Sequence, residues 1–336
     1  MQIDFINVVF TVFTLIALAV PGFLLCKAKL LGESSASTIS NVVLYACQPM
    51  LVFMGFQGKE YSPDLGLNML IMAGLSVGLH LLMTLILCVC FRNKSNNAKI
   101  NCLRFASIFG NCGFIGMPMI QSLFSGEELK DCLGEATIYC AVMIAVFNIL
   151  TWTLGVYLIT KDKKQISLKK IALNPTIIAV VVGFVVFIIA KKPLINLCAD
   201  GSNGDIIITK FIDCFALIGN AVTPMSMMVI GIRLANVKMK TLFVDKFGYI
   251  NSFFKLIVAS LVTILVVTFL PIPSVMKYSL FFLFSMPSAA STVLYAVKYG
   301  SDADGASIMV LLSSVLSMAT IPLMFLFYNG VFGAFI

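Results

Sequence analysis

Ten stretches of mostly apolar residues recur along the chain, near 4–25, 37–57, 66–91, 103–124, 135–160, 173–190, 207–232, 247–270, 276–298 and 306–328, with only short loops between them. Each is close to the roughly 20 residues that a helix needs to cross a bilayer. Hydrocarbon offers the backbone no hydrogen bonds, so long apolar runs of this kind read as helices that satisfy themselves. Charged residues make up 11% of the 336 residues, against about 25% in an ordinary soluble domain. A soluble chain of this composition would lack the polar groups to cover its surface. The expected class is an all-α membrane protein with lipids as its solvent.

The placement of charge orders the spans. Lys27, Lys29, Arg92, Lys94, Lys99, Arg104, Lys161, Lys163, Lys164, Lys169, Lys170, Arg233, Lys238, Lys240, Lys246 and Lys298 fall on one side, sixteen against the five (Lys59, Lys130, Lys191, Lys192, Lys277) on the other. The positive-inside rule puts the richer side in the cytoplasm and both termini outside, in a plasma-membrane protein. The net charge of +8 therefore reads as a topology signal, and no nucleic-acid partner is expected. The first stretch contains Ala17-Leu18-Ala19, which resembles a cleavage site. The residues before it hold Asp4 and no Lys or Arg, unlike a secretory leader, so it reads as the first span.

Ten cysteines include no CxxC pair, and His80 is the sole histidine. No metal site or cofactor is expected. Cys26, Cys47, Cys88, Cys90, Cys112, Cys140 and Cys214 fall in or beside apolar segments and read as small buried hydrophobes.

The densest charge block, KDKKQISLKK at 161–170, falls between the fifth and sixth spans. It divides the chain into a first five-helix half (1–160), a basic cytoplasmic linker (161–172) and a second half (173–336). An odd number of spans per half makes the second half enter the membrane upside down, which is the arithmetic of an inverted repeat. Sequence echoes agree: CQPMLVFMGF (47–56) in the second span matches VTPMSMMVIGI (222–232) in the seventh.

The fourth span carries Gly110, Asn111, Gly113, Gly116 and Pro118; the ninth carries Pro287, Ser288, Ser291 and Thr292. Glycine costs about 1 kcal/mol in a helix interior and proline about 3. Freed backbone groups in lipid cost more still, unless the break lies inside protein or along a wet cavity. Two interruptions at matching places in the two halves point to a binding site built from half-helix ends. Amides at one end attract an anion, and carbonyls at the other a cation. Close packing of helices through small residues is the alternative for either segment alone.

Other polar residues inside spans are candidates for the same site or for coupling. Pro49 and Pro224 kink the second and seventh spans, with Gln48, Asn41, Asn220 and Thr223 on the preceding turns. Asn148 is a lone amide in the fifth span; His80 and Asp213 are the candidates for coupling H+ or Na+. Lys255 lies two turns into the eighth span and reads as a snorkelling cation. Arg104 reads as an anchor or an attractor at the cytoplasmic mouth.

GNCGFIGMP (110–118), NPT (174–176), GNAVTPMSMMVIGIRLA (219–235) and MPSAASTVLYAVKYGSD (286–302) together resemble the auxin efflux carrier family, which includes plant PIN auxin exporters and bacterial malate and malonate permease-like proteins. The resemblance covers essentially the whole chain. It implies ten transmembrane helices in two inverted five-helix repeats, with broken fourth and ninth helices crossing at the centre as in bile-acid symporters and sodium/proton antiporters. It also implies that Asn111 contacts a substrate carboxylate, that Pro287 marks the crossing, and that Pro49 and Asn148 line the scaffold side of the pocket. Plant members have proline where this chain has Gly110, and their long cytoplasmic loop is absent here.

The expected function is a secondary transporter that moves a small organic anion, a mono- or dicarboxylate, by alternating access. Spans 3–5 and 8–10 would carry the substrate, and spans 1, 2, 6 and 7 would form a scaffold and the surface of a homodimer. The alternative is a sensor or channel on the same fold. No Walker A motif occurs, and the paired carboxylates or HExxH of an intramembrane enzyme are missing, so no enzyme is expected.

Overall fold

A computed structural model describes residues 3–92, 97–197, 203–237 and 239–333 of the chain. The expectations for Lys94 and Lys238 lie outside these residues. The described chain is all helical, and eight of its helices are long and apolar enough to cross a membrane. These are α1 (Phe5–Lys27), α2 (Ser34–Gly55), α3 (Pro63–Cys90), α6 (Lys130–Thr160), α7 (Pro175–Ala190), the pair α8 (Asn203–Asn220) and α9 (Val222–Asn236), α10 (Lys246–Thr268), and α13 (Ala303–Phe332). The fourth and ninth apolar stretches differ. Each is split into two short helices: α4 (Ala98–Ile108) with α5 (Cys112–Phe124), and α11 (Ser274–Ser285) with α12 (Ser291–Lys298).

Local sequence accounts for where these helices begin. Asp4, Ser62, Asn97, Asn174, Asp245 and Asp302 each accept a hydrogen bond from a backbone N–H of the first turn that follows. Such caps satisfy donors that an uncapped helix start would leave orphaned, worth about 1 kcal/mol each. Prolines mark changes of register. Pro49 follows a π-helical turn at Val43–Cys47, and Pro118 follows another at Cys112–Gly116. Each proline lacks an N–H and crowds the carbonyl four residues back, and a widened turn relieves the crowding. Pro224 stands just past the turn at Ala221 that separates α8 from α9, on an exposed face.

Glycines let particular helices touch. A Cβ at Gly231 would collide with the Ala19 carbonyl oxygen, and one at Gly22 with that of Met228. α1 and α9 are therefore in backbone contact along their length. Likewise Gly183 of α7 admits the Phe56 ring, and Gly219 of α8 admits the backbone of Leu51 in α2. The main core runs through α5, α6, α11 and α13; Tyr278, Phe281 and Phe282 of α11 form one aromatic cluster with Phe325 and Tyr328 of α13.

The loops gather at two opposite ends. At one, Lys59 pairs with Glu135 at 3.5 Å and the Tyr61 N–H donates to the Lys191 carbonyl. At the other, Lys99 pairs with Asp245 at 3.1 Å and Lys27 Nζ donates to the Ala235 carbonyl. The nine described cysteines are all free. Cys90 and Cys214 are exposed rather than buried; on apolar helices such positions face lipid, which accepts a thiol as readily as the core does.

Candidate functional site: a crossing of broken helices beside a cavity

α4 ends at Ile108 and α11 at Ser285, and the chain after each runs extended, through Phe109 and Met286. These two short segments meet. The Asn111 N–H donates to the Pro287 carbonyl at 2.7 Å, and the Ala289 N–H donates to the Phe109 carbonyl at 2.9 Å. Gly110 and Ser288 face each other across this antiparallel bridge. Exchanging 109–111 with 287–289 exchanges the two bonds. Backbone released by the breaks is thus satisfied by the other break, as burial in an apolar interior demands.

Side chains complete the crossing. Asn111, 7% exposed, caps α5 by accepting from the Phe114 N–H at 3.2 Å. Asn251, a residue that sequence reasoning misses, is fully buried and links three elements. Its Oδ1 accepts from Ser107 at 3.0 Å, and its Nδ2 donates to Ser288 Oγ at 2.9 Å and to the Met309 carbonyl at 3.2 Å. The Ser288 N–H in turn donates to Ser313 Oγ at 3.1 Å. The one sequence signal of Asn251 is an amide near the start of an apolar span, with nothing to distinguish it from an anchor. His80 is buried beside the crossing, its ring 4.9 Å from Phe284 and 5.5 Å from Phe109, with Nδ1 2.7 Å from the Ser76 carbonyl.

Two charged residues depart from expectation. Lys255 does not snorkel: it is 1% exposed, and its Nζ donates to the Phe284 carbonyl at 3.1 Å. The crossing lies within reach of the side chain, against Gly110. Arg104 is buried as well, donating to the Phe91 carbonyl at 2.8 Å and to Asn101 Oδ1 at 3.4 Å. It ties the start of α4 to the end of α3 instead of standing free at a mouth. Asp213 is exposed and 3.9 Å from Lys210 on the same helix.

A cavity of about 600 Å³ adjoins α12 and the second half of α6, within the size range of small-molecule sites. Asn148 and Ser291 are the predicted site residues that line it. Its amides come from Asn41, Asn148, Asn174 and Asn236, its aromatic wall from Tyr45, Trp152 and Tyr295, and its cations from Arg233 and Lys298. No carboxylate is among the described lining residues. Asn174 Nδ2 donates to Asn148 Oδ1 at 3.4 Å while its own Oδ1 caps α7. Lys298 Nζ stands 4.6 Å from the Trp152 ring centre.

The remaining predicted residues, Gly110, Asn111, Gly113, Gln48, Pro49, Pro287, Ser288 and Thr292, are buried around the crossing itself, as are the hinge positions Gly116 and Pro118. Gly113 accommodates the Gln48 amide, since a Cβ there would lie 2.5 Å from Nε2. Three polar atoms of the predicted set have no hydrogen-bond partner: Gln48 Oε1, Ser291 Oγ and Thr292 Oγ1. Buried polar atoms are nearly always satisfied, and seven further side-chain atoms elsewhere among the described residues share this state. Among the described residues, no group of three His, Cys, Asp or Glu is placed to hold a metal ion.

Paired helix breaks beside a solvent-sized cavity, within a set of apolar spanning helices, define a multi-pass membrane transport protein. The chain belongs to the auxin efflux carrier family: the family model described as "Membrane transport protein" matches residues 7–325. The chain is also similar to "Uncharacterized transporter MJ1031" of Methanocaldococcus jannaschii, 24% identical over 313 residues, which cover 88% of this chain and 90% of that protein.

Proposed function

We propose that this protein is a secondary transporter that moves a small organic anion, a mono- or dicarboxylate, by alternating access. Its ten spans form two inverted five-helix repeats, residues 1–160 and 173–336, joined by the basic linker 161–172. The fourth (α4–α5) and ninth (α11–α12) spans cross at mid-membrane. The charge of the cavity supports the choice of an anion: Arg233 and Lys298 line it and no described carboxylate does. The amide N–H groups at the start of α12, beside Ser291, supply the positive end of a half-helix.

A comparison of two cavities carries the alternation. Exchanging the halves maps α12 onto α5 and α6 onto α13. The large cavity lies on α12 and α6; the equivalent place on α5 and α13, lined by Ile115, Met119, Ser314 and Ile321, holds only about 50 Å³. One vestibule is open and its counterpart is shut. Arg233 and Lys298 belong to the positively charged side, so the open vestibule faces the cytoplasm and both termini lie outside the plasma membrane. α1, α2, α7, α8 and α9 form the scaffold, whose lipid-facing surface is where a homodimer would meet.

Saturable uptake of a labelled carboxylate into proteoliposomes, with counterflow from preloaded vesicles, tests this reading. Uptake without counterflow marks a channel. Binding without uptake marks a sensor.

A further inference from the structure

Lys255 is the most deeply buried cation among the described residues, and the transport cycle just proposed gives it no part. Three observations define its place. Its ammonium donates to the Phe284 carbonyl at 3.1 Å, one of the last four carbonyls of α11, which have no partner within their own helix. It lies against Gly110, where a Cβ would stand 2.8 Å from Nζ and 3.0 Å from Cε; a larger residue at 110 would displace it. No Asp or Glu is buried among the described residues, and the ion pairs of Lys59, Lys99 and Lys210 lie elsewhere.

The carbonyl end of a half-helix carries about half a negative charge, and inside a membrane that charge needs a cation. A hard alkali ion bound by carbonyl oxygens would serve, and so does an ammonium. They differ in one respect: stabilisation by a free ion depends on its concentration, whereas that by a tethered one does not.

We propose that Lys255 is the resident cation of the crossing, its ammonium filling the position that a coupling Na+ or K+ would otherwise take, with Gly110 as the residue that admits it. The protein then assembles its anion site without a bound alkali ion. This deepens the transport reading by naming the positive charge behind the crossing, and its test uses no organic anion, so the two stand or fall separately.

The purified protein is melted in NaCl, KCl, LiCl and choline chloride at one ionic strength. Wild type is expected to give the same Tm in all four. Lys255→Gln, which keeps most of the length and replaces the charge with an amide, is expected to melt lower in choline. It should regain part of the loss, saturably, in one alkali chloride. Lys255→Arg keeps the charge and is expected to melt alike in every salt. Saturable stabilisation of wild type or of Lys255→Arg by an alkali ion overturns the proposal. A folded Lys255→Gln protein that ignores the cation does so too. Should Lys255→Gln not fold in any salt, the wild-type and Lys255→Arg arms decide the matter.

Discussion

The Ser226 hydroxyl donates to the Phe114 carbonyl across 2.9 Å, joining α9 to the broken segment α5. Phe114 lies four residues before Pro118, which has no N–H to offer it. A side chain from another helix therefore meets a carbonyl that the proline exposes, and both partners are buried. Removing the hydroxyl strands that oxygen in an apolar interior. Ser226→Ala is expected to cost about 1–3 kcal/mol, read as a lower Tm in detergent, while Ser226→Thr keeps most of the stability. An alanine variant that melts with wild type would show that Phe114 needs no partner.

Asn251 offers a larger effect, because it connects α4, the crossing and α13 with three bonds. Asn251→Leu keeps the branched shape of the side chain and leaves Ser107, Ser288 and the Met309 carbonyl without a partner in it. The expected loss exceeds about 3 kcal/mol, since breaking a buried network leaves several groups unpaired at once. Folded yield by size-exclusion profile and the melting curve check this; a loss under about 1 kcal/mol would mean the network rearranges freely.

Backbone contact between α1 and α9 makes Gly231 intolerant of a single methyl. With the Ala19 carbonyl oxygen already occupying the place of a Cβ, two helices must part to admit it, and overpacking of this kind costs about 1–3 kcal/mol or more. Gly231→Ala should destabilise strongly, whereas Gly330→Ala, with open space around it, should leave the melting temperature in place.

Asp245 gives a prediction in pH. Burial pushes its carboxyl up, but the Gly248 N–H and the Lys99 ammonium outweigh this and hold it below its ordinary value of 3.8. The folded form therefore binds the proton less readily than the unfolded form. The stabilisation is present in full above that ordinary value and is lost as pH falls through the lower, folded one. Solvent screens this partly exposed pair, so the amount is about 1 kcal/mol or less. The difference in Tm between wild type and Asp245→Asn should be level from neutral pH to about 5 and shrink toward pH 3. A difference that grows on acidification would reverse the assignment.

Lys298 lines the larger cavity and rests on Trp152. If it draws an anion in, Lys298→Gln should raise the half-saturating carboxylate concentration about two- to five-fold, as an exposed ion pair of under 1 kcal/mol implies. The maximal rate should change little, and added salt should narrow the gap. Equal uptake curves at low salt would remove Lys298 from the path.

Much of this architecture is legible in the chain. Apolar length locates the spans, while the capping residues Asn97, Asp245 and Asp302 are found only in the structure. Gly110 to Pro118 and Pro287 announce breaks, because glycine and proline clustered in a lipid-spanning segment weaken its backbone bonds. What stays hidden depends on which side chains meet across helices. Asn111 reads in sequence as a ligand group, and only packing shows that its Oδ1 also caps α5. Lys255 sits two turns from the helix start, where sequence distance suggests an easy reach to water, but only packing shows that it points at Phe284 and Gly110. Asn251 and Ser313 are inconspicuous in sequence, and their value comes from facing Ser288. The cavity itself is assembled from residues as distant as Asn41 and Leu311, which no local pattern connects.

Reciprocal pairing of Asn111 with Pro287 and of Ala289 with Phe109 has a mechanical result. Neither extended segment can slide past the other without leaving two peptide groups unmet in hydrocarbon, at several kcal/mol apiece. Whatever displacement carries cargo across must therefore move both segments together, as one stiff cross-brace, with the yielding joints at its outer ends.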